Sequence, residues 1–151
     1  MTEPLALYVH WPFCVSKCPY CDFNSHVRES VDQAVWRAAL LSDLRHEATL
    51  LAGRRVSSIF FGGGTPSLMP PATVAAVIAE AAALWGLTDD CEITLEANPN
   101  SVEVAAFADL AAAGVNRVSI GVQSFDPQVP EFLGRAHSGD EARRAITAAQ
   151  A

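Results

Sequence analysis

The stretch LALYVHWPFCVSKCPYCDFNSH, residues 5–26, joins a short apolar run to a loop that holds three of the chain's four cysteines. Residues 5–9 have the length and apolar character of a buried β-strand. The cysteines that follow, Cys14, Cys18 and Cys21, have the spacing C-x3-C-x2-C. A strand that runs into a dense group of thiols predicts a functional loop at one edge of a sheet.

Three further apolar runs of strand length follow along the chain, at residues 56–61, 91–97 and 115–122. Helical stretches separate them, and each carries a terminal signal: Ser30 with Gln33, Pro70 and Pro71 with Gly86, Asn100 with Glu103, and Ser138 with Glu141. This alternation predicts an α/β fold in which helices cover a parallel sheet built from βα units.

The loops that follow the four predicted strands carry the unusual residues of the chain. They are the cysteine loop, GGGTPS (62–67), EANPN (96–100) and GVQSFD (121–126). The carboxyl ends of parallel strands lie at the same edge of a sheet or barrel, and α/β proteins bind ligands there. We therefore expect these loops to meet at one site.

The composition argues against several classes of partner. Ten lysines and arginines stand against seventeen aspartates and glutamates, a net charge of −7, and the basic residues form no patch. Nucleic acid and anionic membranes both need clustered positive charge, so neither is expected as a partner. The sequence has no secretory leader and no apolar run long enough to span a bilayer, which predicts a cytoplasmic location without an integral membrane segment.

The length of 151 residues is that of a single domain. The helical pattern is still running at residue 151, and a sheet of the predicted strands would leave residues 115–122 unpaired at its edge. We therefore expect residues 1–151 to be the N-terminal part of a longer protein.

The grouped cysteines have three interpretations. Disulfides are not among them, because small secreted proteins spread their cysteines along the chain. A structural zinc site could combine three thiolates with His10 or His26. An iron–sulfur cluster on three thiolates would leave one iron open, and the asymmetric spacing favours this interpretation. A redox-active thiol loop is the third, while the distant Cys91 is expected to be a buried, inert thiol.

An aromatic residue before the last cysteine of C-x3-C-x2-C, here Tyr20, resembles the signature of radical S-adenosylmethionine enzymes. The sequence is similar to the oxygen-independent coproporphyrinogen III oxidase family, through FFGGGTPS, LEANPNS, RVSIGVQSF and LGRAH, in that order, as far as residue 137. The resemblance implies the first four units of a partial (β/α)6 barrel. It also implies a [4Fe-4S] cluster, S-adenosylmethionine and an electron donor for the cluster.

The resemblance implies a role for individual residues. Cys14, Cys18 and Cys21 would ligate three irons, and S-adenosylmethionine would chelate the fourth and yield a 5′-deoxyadenosyl radical on reduction. The implied contacts of S-adenosylmethionine are Tyr8, Tyr20, Gly63, Gly64, Thr65, Glu96, Gln123 and Arg135. For two of them the chemistry of the side chain agrees with the implied contact. Glu96 is a carboxylate that interrupts an apolar run, and the guanidinium of Arg135 suits a carboxylate ligand.

One position departs from the oxidase pattern. The oxidases carry another cysteine two residues after the third cluster cysteine, whereas this sequence has Phe23 there. In this it resembles the sister group, the heme chaperones called HemW. The resemblance implies a protein that binds heme and delivers it to client proteins, with oxidative decarboxylation of coproporphyrinogen III as the alternative activity. We expect residues that hold heme or porphyrin to lie beyond residue 151.

Overall fold

The computed structural model describes residues 3–151 as a parallel sheet with helices packed on one of its faces. The strands are β1 (Pro4–Trp11), β2 (Phe13–Cys14), β3 (His26–Val27), β4 (Arg55–Gly63), β5 (Leu87–Ala97) and β6 (Arg117–Ile120). The helices are α1 (Gln33–Leu50), α2 (Pro71–Trp85), α3 (Ser101–Ala105), α4 (Phe107–Ala112), α5 (Gln128–Phe132) and α6 (Gly139–Gln150), and a 3-10 turn spans Pro66–Leu68.

The main sheet has the strand order β1-β4-β5-β6, and every neighbouring pair is parallel. Each connection between these strands contains helix, as parallel pairing requires. β2 and β3 form a separate two-stranded ladder, in which Phe13 pairs with His26 and Cys14 with Val27. This small ladder closes the cysteine loop at its base.

The two faces of the sheet differ in chemistry. In β1, Val9 and Trp11 are buried in the core under the helices. Tyr8 and His10 alternate with them and lie on the other face, where Tyr8 is 61% exposed. In β5, Leu95 is fully buried whereas its neighbour Glu96 is only partly covered. The uncovered face therefore carries polar and aromatic side chains, and the covered face carries the core.

Three helix-terminal predictions are confirmed. Asn100 caps α3 by accepting from the Glu103 N–H. α2 begins at Pro71 and ends at Trp85, followed by the cap residue Gly86, whose φ of 72° needs a residue without Cβ. α6 has a complete capping box: the Ser138 side chain accepts from the Glu141 N–H, and the Glu141 carboxylate accepts from the Ser138 N–H at 2.8 Å.

Other helix boundaries differ from the expectation. α1 is capped by Asp32, which accepts a hydrogen bond from the Val35 N–H at 3.0 Å, and not by Ser30. The single helix expected from residue 100 to 114 is interrupted at Ala106, between α3 and α4. α5 has no signal in the sequence because it is short and contains Pro130, a residue that usually indicates a break. In the part of the chain that the structure describes, no helix combines the length and apolarity that a membrane span requires.

Candidate functional site

The loops at the carboxyl ends of the four main strands surround a cavity of about 320 Å³. The predicted site residues that line it are Cys14, Cys18, Tyr20, Cys21, Gly63, Gly64, Thr65, Glu96, Gln123 and Arg135. Tyr8 is the exception, because it lines a separate cavity of about 930 Å³ beside α1. The parallel strand order thus brings residues from four distant segments together.

The three thiols of the cysteine loop are free and partly buried. Each sulfur has a different polar neighbour: Thr65 Oγ1 lies 3.4 Å from Cys14, Arg135 Nη1 lies 3.5 Å from Cys18, and Ser25 Oγ lies 3.7 Å from Cys21. A backbone hydrogen bond of 3.0 Å from the Cys21 N–H to the Cys18 carbonyl oxygen makes a tight turn between the last two. The loop is therefore shaped by contacts to other loops as well as by its own turn.

The placement of the possible donor side chains bears on the kind of metal centre that the residues could hold. Across residues 3–151, no three His, Cys, Asp or Glu side chains lie close enough to ligate one ion. Tetrahedral zinc needs four ligands around a single ion, whereas each cysteine of an iron–sulfur cluster binds a different iron. His10 and His26 line the other cavity, where His10 Nε2 is 2.9 Å from the Asn24 carbonyl oxygen. The three thiols thus line a cavity from which both histidines are absent.

The GGGTPS turn packs directly on the end of β1 and the start of the cysteine loop. A Cβ on Gly64 would lie 2.7 Å from the Phe13 carbonyl oxygen and 3.0 Å from the Cys14 sulfur. The Gly64 N–H donates to the Trp11 carbonyl oxygen at 2.7 Å, and the Thr65 N–H donates to that of Phe13 at 2.8 Å. The absence of a Cβ at Gly64 therefore lets the GGGTPS turn pack against the cysteine loop.

Glu96 presents a partly buried carboxylate to the cavity. Its Oε2 accepts a hydrogen bond of 3.3 Å from the Gly63 N–H. Burial raises the pKa of Tyr8, and the negative charge of Glu96 acts in the same direction. The Tyr8 hydroxyl lies 3.1 Å from His10 Nδ1.

Arg135 is the best-anchored charged side chain in the cavity wall. Its Nη2 donates to Asn98 Oδ1 at 2.7 Å and to the Gly121 carbonyl oxygen at 2.6 Å. Its Nε is buried and has no hydrogen-bond partner among residues 3–151. A buried guanidinium N–H without an acceptor has an unmet need for an anionic or carbonyl oxygen, which a carboxylate ligand would supply.

Tyr20 and Gln123 line the same cavity as Arg135. Burial raises the pKa of Tyr20, while the positive charge of nearby Arg135 opposes the rise and Cys18 reinforces it. Gln123 has a φ of 65° and is the one non-glycine residue in the described chain with positive φ. Backbone strain of this kind is typical of functional sites.

Residues that sequence reasoning did not select also line the cavity, including Asn98, Ser119 and Gly121. Asn98 lies in the EANPN segment, which the sequence predicts to be one of the site loops, but Glu96 is the only residue of that segment predicted to contact a ligand. The feature of the sequence that could have pointed to Asn98 is its position directly after a predicted strand. Its role as the acceptor for Arg135 depends on a partner 37 residues away and could not be seen in the sequence.

Comparison with known proteins agrees with this geometry. The family described as the Radical SAM superfamily matches residues 8–151. The chain is 48% identical over 149 residues to "Radical S-adenosyl methionine domain-containing protein 1, mitochondrial" of Bos taurus, covering 99% of this chain and 34% of that protein. It is 48% identical over 143 residues to "Heme chaperone HemW" of Escherichia coli (strain K12), covering 94% of this chain and 38% of that protein.

A solved structure extends the comparison to the fold. Coproporphyrinogen III oxidase (HemN) from Escherichia coli, described as a radical SAM enzyme, superimposes with a TM-score of 0.87 at 32% identity. The match covers 99% of this chain and 35% of the oxidase. It confirms the predicted α/β fold of parallel βα units and agrees with part of a barrel.

The chain spans 34% to 38% of the two relatives described above. Since one relative is named as mitochondrial, the cytoplasmic location stays a prediction. The family match covers nearly the whole chain, and the solved structure shares its fold. The chain therefore belongs to the radical SAM superfamily.

Proposed function

We propose that this chain is the cofactor-binding part of a heme chaperone, which binds heme and transfers it to client proteins. The observation that carries the proposal is the 48% identity to the heme chaperone HemW of Escherichia coli, against 32% to the oxidase from the same species. Phe23 supports it, because this exposed ring stands in the cavity wall where the oxidases have a further cysteine.

The residues of the cavity suit a [4Fe-4S] cluster with S-adenosylmethionine. Cys14, Cys18 and Cys21 would hold the cluster at three corners, since their sulfurs line one cavity without converging on one point. When bound, the pair of cofactors supplies reductive cleavage of a sulfonium C–S bond by an electron from a donor protein.

The polar groups of the cavity wall complement the charged groups of the methionine part of S-adenosylmethionine. S-adenosylmethionine carries a carboxylate, which suits the unpaired Nε of Arg135, and an ammonium group, which suits the carboxylate of Glu96. Gly63, Gly64 and Thr65 line the same space, and Gln123 and Tyr20 would contact the remainder of the ligand. Tyr8 would reach it only from the neighbouring cavity.

The first test is cofactor binding by the full-length protein after anaerobic reconstitution with iron and sulfide. We expect about four irons per chain and an EPR spectrum that changes when S-adenosylmethionine is added. Cys18→Ala should lose the cluster, whereas Cys91→Ala, which removes the thiol outside the cavity, should retain it. Tightly bound zinc, or an EPR spectrum indifferent to S-adenosylmethionine, would favour the structural-metal alternative.

The second test separates the chaperone from the oxidase, whose structure has the same fold. The reconstituted full-length protein should bind heme, seen as a Soret band on titration, and pass it to an apo-hemoprotein. It should not convert coproporphyrinogen III under anaerobic reducing conditions. Turnover to protoporphyrinogen would replace the chaperone proposal with the oxidase.

A further inference from the structure

A buried carboxylate, Glu103, lies directly behind the cavity wall. It is 3% exposed, and none of the ion pairs found in residues 3–151 includes it. A carboxylate without a cation is tolerated in such a position only if hydrogen bonds replace its hydration. The sequence predicted Glu103 only as a partner in a helix cap, and Asn100 Oδ1 does accept from the Glu103 N–H at 3.0 Å.

The side chain of Glu103 joins two of the loops that form the site. Oε1 accepts from the hydroxyl of Ser67, in the GGGTPS turn, and from the Asn98 N–H at 2.8 Å, in the loop after β5. Oε2 accepts from the side-chain amide of Asn100. Ser67 is itself buried, with 5% exposure. One carboxylate therefore sets the distance between the loop that follows β4 and the loop that follows β5.

Asn98 carries this restraint onward to the cofactor cavity. Its backbone N–H is held by Glu103, and its side-chain oxygen accepts from Arg135 Nη2 at 2.7 Å. A guanidinium can only donate, so the Asn98 oxygen must face it. Arg135 Nη1 in turn lies 3.5 Å from the sulfur of Cys18. Hydrogen bonds thus connect Glu103 to the cysteine loop in three steps.

We propose that Glu103 is a positioning residue, which acts through Asn98 to orient the Arg135 guanidinium for a carboxylate ligand. Without it, the Asn98 backbone loses its acceptor, and the Arg135 fork loses the restraint that directs its unpaired Nε. The inference rests on the proposed binding of S-adenosylmethionine. It predicts an effect on the affinity for that ligand, separate from the capacity to hold a cluster.

The test uses Glu103→Gln in the full-length, anaerobically reconstituted protein. Glutamine keeps the volume but has one acceptor oxygen instead of two, so it cannot accept from Asn98, Ser67 and Asn100 together. Iron content should stay at the wild-type level, because the cysteines are intact. The Kd for S-adenosylmethionine, measured by calorimetry, should rise roughly tenfold, as expected for a weakened charged contact.

The matched control is Asn116→Ala. The Asn116 side chain accepts from the Ile93 N–H at 2.7 Å and donates to the Cys91 carbonyl oxygen at 2.9 Å, in the middle of β5 and outside the cavity lining. Its loss should lower the unfolding temperature and leave the Kd unchanged. A Kd that rises equally in Asn116→Ala and Glu103→Gln would overturn the proposal, since general destabilisation would then account for both.

A second variant covers the case in which Glu103→Gln does not fold. Asn98→Ala removes the acceptor of Arg135 without placing a new group in the interior. It should raise the Kd for S-adenosylmethionine by a similar factor. Where Glu103→Gln folds, the Kd of the double variant should be no higher than that of either single variant. A wild-type Kd in Asn98→Ala contradicts the proposal. Failure of the wild-type protein to bind S-adenosylmethionine would refute the proposed function instead.

Discussion

Replacing Gly64 with alanine tests whether the contact between the GGGTPS turn and the cysteine loop shapes the thiol site. The new Cβ would lie 2.7 Å and 2.9 Å from the carbonyl oxygen and carbon of Phe13, and 3.0 Å from the sulfur of Cys14. The first two are backbone atoms, so no side-chain rotation can relieve the contact. Gly64 does not have positive φ, and the effect is therefore steric.

The magnitude follows from these contacts. Adding atoms to a tightly packed position costs about 1–3 kcal/mol. Displacing the turn also strains the hydrogen bond from the Gly64 N–H to the Trp11 carbonyl oxygen, and the loss of one such bond costs roughly 1 kcal/mol. We expect the free energy of unfolding to fall by about 2–4 kcal/mol. Because Cys14 must move, the iron bound after reconstitution should fall as well.

The assay combines urea unfolding of the apoprotein with iron determination after anaerobic reconstitution. Gly53→Ala is the control, because Gly53 has a φ of 77° and no atom within 4 Å of its ideal Cβ position. It should cost about 1 kcal/mol from backbone strain and leave iron binding unchanged. If Gly64→Ala binds iron and unfolds as the wild type does, the close packing of the two loops is not what positions Cys14.

Two further predictions concern residues outside the cavity. Burial raises the pKa of the Cys91 thiol, and the charge of Asp90 adds to the rise. Cys91 should therefore resist alkylation by iodoacetamide until the protein unfolds, which mass spectrometry of the labelled peptides would measure. In α6, the hydrogen bond from the Ser138 N–H holds the pKa of Glu141 below its usual range. Its stabilising effect is therefore present above the ordinary glutamate pKa of about 4.3 and is lost as pH falls through the lower folded value. Glu141→Gln should be less stable than wild type at pH 6 and equally stable at pH 2 in urea unfolding, and a difference that persists at pH 2 would contradict this assignment.

The sequence predicted the sheet well because its signals are local. Buried parallel strands are continuous apolar runs, and helix ends are fixed by residues such as Pro71 and Gly86 whose backbone preferences do not depend on the rest of the fold. The predicted cap of the first helix at Ser30 was wrong. Ser30 and Asp32 are both residue types that cap helices, but it is the Asp32 side chain that accepts from the Val35 N–H.

The sequence predicts which loops form the site, but it does not predict the hydrogen bonds that connect them. The strand order alone brings ten of the predicted residues to one cavity. The placement of Tyr8 depends on which face of β1 it occupies and on how α1 lies beside that strand, and neither is a local property. Glu103 shows the same limit, because its cap with Asn100 is local whereas its bond to Ser67 spans 36 residues.

The contact between the cysteine loop and the GGGTPS turn also has a consequence for the order of events during synthesis. Thr65, which lies against the Cys14 sulfur, is 51 residues farther along the chain. Parallel pairing of β1 with β4 must therefore precede the final shape of the thiol loop, and such long-range pairing is slow compared with helix formation. A nascent chain that has exposed only its cysteines offers iron no formed site. We expect the proposed cluster site to form only after the sheet has folded.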